Sequence, residues 1–220
     1  MARAKNEDKR KAIVAEARRL FARSGFENSS MVELAKGVGI PVGSLYTYFQ
    51  SKDVLLETII EEGWGEFRAG LEAGFAALEE ELEGKALSAP PSLYKLSFLA
   101  KTALPELFKD YDLIAIIMAQ AGKGSMLGDK LEYLAESIRS ILLEYARTRN
   151  ASPEVDLASL RSGLAVMLLG SLEAVRLGYH QALDIGTEDI IGFLSRIIEA
   201  SLGCSLPELG PSWKGRGFSS

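Results

Sequence analysis

Apolar positions recur three and four residues apart along almost the whole chain, and strict alternation is scarce. That spacing predicts an all-α protein. Ile13, Ala17, Leu20 and Phe21 mark the inner stripe of a first helix over 6–24, and Gly25 follows where a helix stop belongs. Ser29 and Ser30 each offer a cap for a short second helix with Met31, Leu34 and Ala35 inward, which Gly37 and Gly39 end within two turns. A third short helix is predicted over 42–48, held by Leu45 and Phe49. Ser51 caps a long fourth helix with Val54, Leu55, Ile59, Trp64, Phe67 and Leu71 nearly in phase, running to 83.

The stretch 84–92, with Pro90 and Pro91, is the clearest break in the pattern. Beyond it helices are predicted over 91–103, 106–121, 127–149, 153–179 and 187–202, making about nine in all. Pro105 is expected to interrupt or start a helix. Gly122, Gly124 and Gly128 mark a turn, and Ser152 with Pro153 reads as a cap and first helical residue. From 204 the composition shifts to Gly, Pro and Ser, so 204–220 is expected to be a loose tail. The domain reading is a head over 1–50, a larger body over 51–203, and that tail.

Charge sharpens this division. The net charge is −5, yet residues 1–50 hold nine basic and five acidic side chains while the rest is acidic. A basic head on an acidic body suits a phosphate-binding module joined to another domain. Short, sharply punctuated helices joined by a glycine turn are helix-turn-helix organisation, here over about 30–49. The second helix of such a pair enters the major groove. Gly43 permits close approach, and Ser44, Tyr46, Thr47 and Tyr48 carry hydroxyls for phosphates or base edges. Lys52 opens the next helix, where free N–H groups and an ammonium suit a phosphate.

The run from Met31 to Leu56, MVELAKGVGIPVGSLYTYFQSKDVLL, with Ser24-Gly25-Phe26 and Ser29-Ser30 before it, resembles the TetR family of one-component regulators. The likeness covers roughly 10–60, about a quarter of the chain. It implies DNA contacts from Ser30, Gly43, Tyr46, Tyr48 and Lys52, with Thr47 facing the groove and Val42 and Ser44 in the same helix. Pro41 departs from the pattern, because a serine often begins that helix and proline supplies no capping hydroxyl. Other readings stay open: Tyr46 as a core tyrosine with an exposed tip, Tyr48 as plain surface, Lys52 as a solvated lysine, and Ser30 as a cap alone.

One such module reads few base pairs, so a two-fold dimer on double-stranded palindromic DNA is expected. The helices over 153–179 and 187–202 are apolar around most of their girth. Leu157, Leu164, Leu168, Val175, Ile190, Leu194 and Ile197 form the predicted partner-facing set. The resemblance also implies a cavity for a small organic effector, mostly apolar, whose filling reorients the heads. Trp64, Phe67, Phe98, Met118, Tyr133 and Met167 are its candidate lining, each equally suited to ordinary core.

Enzyme classes find little support. His180 is the only histidine, Cys204 the only cysteine, and neither a zinc cluster, a Glu-x-x-His pair nor a Walker loop is written in the chain. No cofactor or metal is expected. A helical interaction protein without DNA binding is the alternative. The single cysteine, a charged start without an apolar core segment, and apolar runs such as 113–119 and 164–169 too short to span a bilayer place the protein in the cytoplasm, off the membrane.

Overall fold

The computed structural model describes residues 2–120, 128–149, 157–179, 181–213 and 216–218. His180, Gly122, Gly124, Ser152 and Pro153, singled out above, lie outside them, as does the side chain of Leu157. Among the described residues the chain is helical, without strands. The elements are α1 (Ala2–Ser24), α2 (Met31–Val38), α3 (Val42–Tyr46), α4 (Lys52–Leu82), α5 (Pro91–Phe98), a π turn (Leu99–Ala103), α6 (Leu104–Lys109), α7 (Tyr111–Gln120), α8 (Gly128–Thr148), α9 (Leu157–Tyr179) and α10 (Thr187–Leu202).

Two features of the helix ends bear on the expectations. Pro105 is the second residue of α6, so a helix segment starts beside it as expected. The turn before it widens so that the Leu104 N–H reaches the Leu99 carbonyl, and helical backbone runs on from α5 through the π turn into α6. A wider turn makes room for a ring that would otherwise strike the carbonyl four residues back. The break falls instead at Asp110, whose Oδ1 accepts the Leu113 N–H at 3.1 Å and caps α7.

The chain forms two compact units, Met1–Gly65 with Asp110–Lys123, and Glu66–Lys109 with Gly124–Ser220. In the first, Ile13, Phe21, Leu34, Leu45, Leu55 and Ile59 make a core around α1 to α4. Each such side chain contributes about 1.5–3 kcal/mol by burial. Helix α7 packs on α1, burying Leu113 and Ile114, and Arg18 pairs with Asp110. A side chain at Gly63 of α4 would collide with Leu113. The head therefore recruits a helix from sixty residues downstream, which no local pattern announces.

In the second unit Phe98 is fully buried against Phe75 and, edge-on, Trp213, with ring centres 5.6 and 5.9 Å away. It rests on Gly74 of α4, where a Cβ has no room. The described part of the segment expected as a loose tail is packed. Leu206 and Trp213 are buried, Ser97 Oγ donates to the Pro207 carbonyl at 2.6 Å, Lys101 pairs with Glu208, and Phe218 lies on Phe67 and Gly70. Two aromatic rings among glycines and prolines bury enough apolar surface to hold a segment that has no helical period.

Helix α9 amends the membrane expectation. Between Ala158 and Tyr179 it is, by length and composition alone, apolar enough to cross a bilayer. Arg161, Glu173 and Arg176 divide it into runs that look short one at a time.

Candidate nucleic-acid interface and ligand cavity

The helix-turn-helix is built from local rules. Ser30 has extended backbone and caps α2, its Oγ accepting the Glu33 N–H at 3.2 Å while the Glu33 carboxylate accepts the Ser30 N–H at 3.0 Å. This reciprocal pair is a capping box. The Ser30 hydroxyl also donates to Glu33 at 2.9 Å, so its proton is engaged within the chain. Helix α2 ends at Gly39, whose φ of +74° is the left-handed region that glycine enters without strain. The Ile40 N–H closes that turn on the Ala35 carbonyl at 3.0 Å. Pro41 then opens α3 without a side-chain cap, while its carbonyl accepts from Ser44 and Leu45.

Helix α3 has a distinct back and front. Leu45 and Phe49 are buried behind it, at 0% and 3% exposure. Val42, Gly43, Ser44, Tyr46 and Thr47 are exposed in front, and Tyr48 is half-buried. Half of the Tyr46 surface is open to solvent, which removes the core-tyrosine reading. Thr47 Oγ1 donates to the Ser44 carbonyl at 2.7 Å, leaving its lone pairs outward. A Cβ at Gly43 would meet nothing within 4 Å, so the chain's own packing does not require a glycine there.

Lys52, expected to meet a phosphate, has its ammonium engaged within the chain. Its ammonium donates to the carbonyls of Phe26 at 2.6 Å and Ser29 at 2.9 Å and stands 4.3 Å from the Phe26 ring centre. Two of its three N–H donors thus clamp the loop before α2 to the start of α4. Arg10 similarly bonds Glu62 at 2.7 Å and lies over the Phe49 ring, tying α1 to α4 behind α3.

The second unit holds an apolar cavity of about 250 Å³. Leu96, Leu99, Ala100 and Leu104 line one side, and Leu134, Ile138 and Leu142 of α8 another. Helices α9 and α10 complete it with Leu160, Leu164, Met167, Leu168, Ser171, Leu194, Ile197, Ile198, Ser201 and Leu202. Of the six residues expected to line a pocket, Met167 alone belongs to this set. Phe98 and Phe67 are core. Trp64 and Met118 are half-buried and belong to the first unit. Tyr133 lies in a separate, open acidic cleft and donates to Glu72 at 3.0 Å. Burial, and then that bond to Glu72, raise the Tyr133 pKa. In the same cleft, burial works against the charge of Lys95, but hydrogen bonds to Glu79 and Glu144 outweigh it and raise its pKa.

The expected partner-facing set is also redistributed. Val175, Ile190 and Leu194 are buried within the chain. Leu164, Leu168, Leu194 and Ile197 line the cavity. Among the described residues, the large apolar side chains most exposed on these helices are Val166, at 75%, Tyr179 and Phe193. A helix apolar on every side does not reveal in sequence which stripe faces out.

Residues 13–59 match the family model described as bacterial regulatory proteins, tetR family. The chain is 24% identical to the HTH-type transcriptional regulator UidR of Escherichia coli K12, over 83% of this chain and 91% of that one. Two solved structures share the fold. FadR from Bacillus subtilis, in complex with stearoyl-CoA, is 19% identical with a TM-score of 0.60, covering 86% of this chain and 95% of its own. A TetR-like regulator from Rhodococcus sp. RHA1 is 19% identical with a TM-score of 0.62, covering 89% and 96%.

Proposed function

We propose that this chain, which belongs to the TetR family of helix-turn-helix transcriptional regulators, is a cytoplasmic repressor that binds a palindromic operator as a homodimer and releases it when a small, mostly apolar molecule fills its cavity. The outer face of α3 carries the reading. Val42, Gly43, Ser44, Tyr46 and Thr47 project from a helix whose back is anchored by Leu45 and Phe49. Gly43 lets the sugar-phosphate backbone approach, Tyr46 and Tyr48 bond phosphates, and Ser44 and Thr47 read base edges. Ser30 and Lys52 hold the α2 N-terminus against a phosphate.

Two copies meet through the exposed apolar stripe around Val166 and Phe193, where Gly163 and Gly170 leave open space for a partner helix. The effector reading is supported by the cavity's apolar lining and by the bound stearoyl-CoA of the FadR neighbour. The proposed signal starts within the second unit, where Leu99 and Ala100 line the cavity and the adjoining Phe98 bears on Gly74 of α4. Filling the cavity favours a set of α4 positions in which the two heads no longer match their half-sites.

Selection of bound fragments from genomic DNA tests this reading. The expected result is a palindromic site whose affinity falls with salt by about −0.9 in the log–log slope per phosphate contact. Failure to enrich any site at low salt would remove it.

A further inference from the structure

The cavity's lining specifies its ligand more closely than "apolar". Among the described residues it has no aromatic ring and no charged side chain. Its two hydroxyls are engaged inside their own helices: Ser171 Oγ donates to the Met167 carbonyl at 2.6 Å and Ser201 Oγ to that of Ile197 at 2.8 Å. The interior therefore offers a ligand no ring to stack on and no free hydrogen-bond donor. A polar group carried inside would lose its water without replacement. Ser201 is solvent-exposed while lining the cavity, so the space reaches the surface beside it. A space of about 250 Å³ admits a run of several methylenes.

We infer that this cavity takes the aliphatic chain of an amphiphile, with the polar end left at the Ser201 rim. The inference rests on the reading of this cavity as the effector site and adds the effector's chemical class. Flexible leucine and isoleucine side chains conform to a chain and give a planar ring system no preferential contact. Each methylene inserted tightens binding about three- to fourfold until the space is filled.

Calorimetric titration of the full-length protein with straight-chain carboxylates from four to twelve carbons, and with phenyl and naphthyl carboxylates of matched carbon number, tests this directly. The expected result is a three- to fourfold gain per carbon that levels off once the space is filled, with ring compounds weaker than chains of equal carbon number. A flat series, or rings bound as tightly as chains, would overturn the inference. Leu164→Ala, which enlarges the space, is expected to move the plateau to longer chains. Met167→Ala serves the same purpose if the first variant melts early. An unmoved plateau in a folded variant places the chain elsewhere and overturns the assignment. Operator binding is followed in parallel. Chains that bind without releasing DNA leave this inference standing and contradict the effector reading. DNA binding without any chain affinity contradicts the inference alone.

Discussion

The Lys52 ammonium donates to the Phe26 carbonyl at 2.6 Å and lies 4.3 Å from the centre of the same residue's ring. One side chain thus fastens the loop that presents the α2 N-terminus. Lys52→Met removes the donor and leaves the carbonyls of Phe26 and Ser29 without it. The expected cost is about 1–3 kcal/mol, read as an earlier thermal melt. Operator affinity falls as well. If Lys52 acts by position, the salt slope stays unchanged; a slope shallower by about 0.9 assigns it a phosphate contact.

Gly43 separates folding from binding. Because a Cβ there meets open space, Gly43→Ala is expected to leave the melt unchanged or raise stability by about 0.5–1 kcal/mol. Operator affinity is expected to fall at least tenfold in an anisotropy titration, because the methyl group holds the DNA backbone away. A variant that binds DNA as the parent does would show that α3 approaches the groove by another route.

The head was legible in the sequence because its signals are local. The serine cap before α2, the Gly39 turn, and the Leu45–Phe49 spacing each depend on neighbours within a few residues, and each has its structural counterpart. The cavity was not legible. Leucines such as Leu99, Leu134 and Leu168 carry the same helical spacing whether they pack on one another or surround a space. Aromatic and methionine residues drew attention as candidate lining, but Phe98 and Phe67 are core. The placement of α7 against α1 and of the 204–218 segment against α4 and α5 depends on contacts distant in sequence, which periodicity does not encode.

Gly74 is the point where Phe98 of the second unit's core bears on α4. Gly74→Ala forces the Phe98 ring to move, at an expected cost of about 1–3 kcal/mol. Urea unfolding is expected to show a lower midpoint with an unchanged m-value. The same variant is expected to require more effector for operator release, since the contact that carries the signal is displaced.

Trp213 holds the C-terminal segment in place. Trp213→Ala removes its edge-on contact with Phe98 and the Arg216 guanidinium stacked 4.4 Å from its ring centre. The expected loss is about 3–5 kcal/mol, with faster amide exchange along 204–213. A melt within one degree of the parent would mean that the segment contributes nothing to the body.

The most direct measurement is the stoichiometry of the protein–operator complex, by sedimentation on a duplex selected from genomic DNA. The account predicts two chains on one palindromic duplex, with binding lost in a folded Tyr46→Ala, Thr47→Ala double variant. A single chain per duplex, or full binding by that variant, would contradict it.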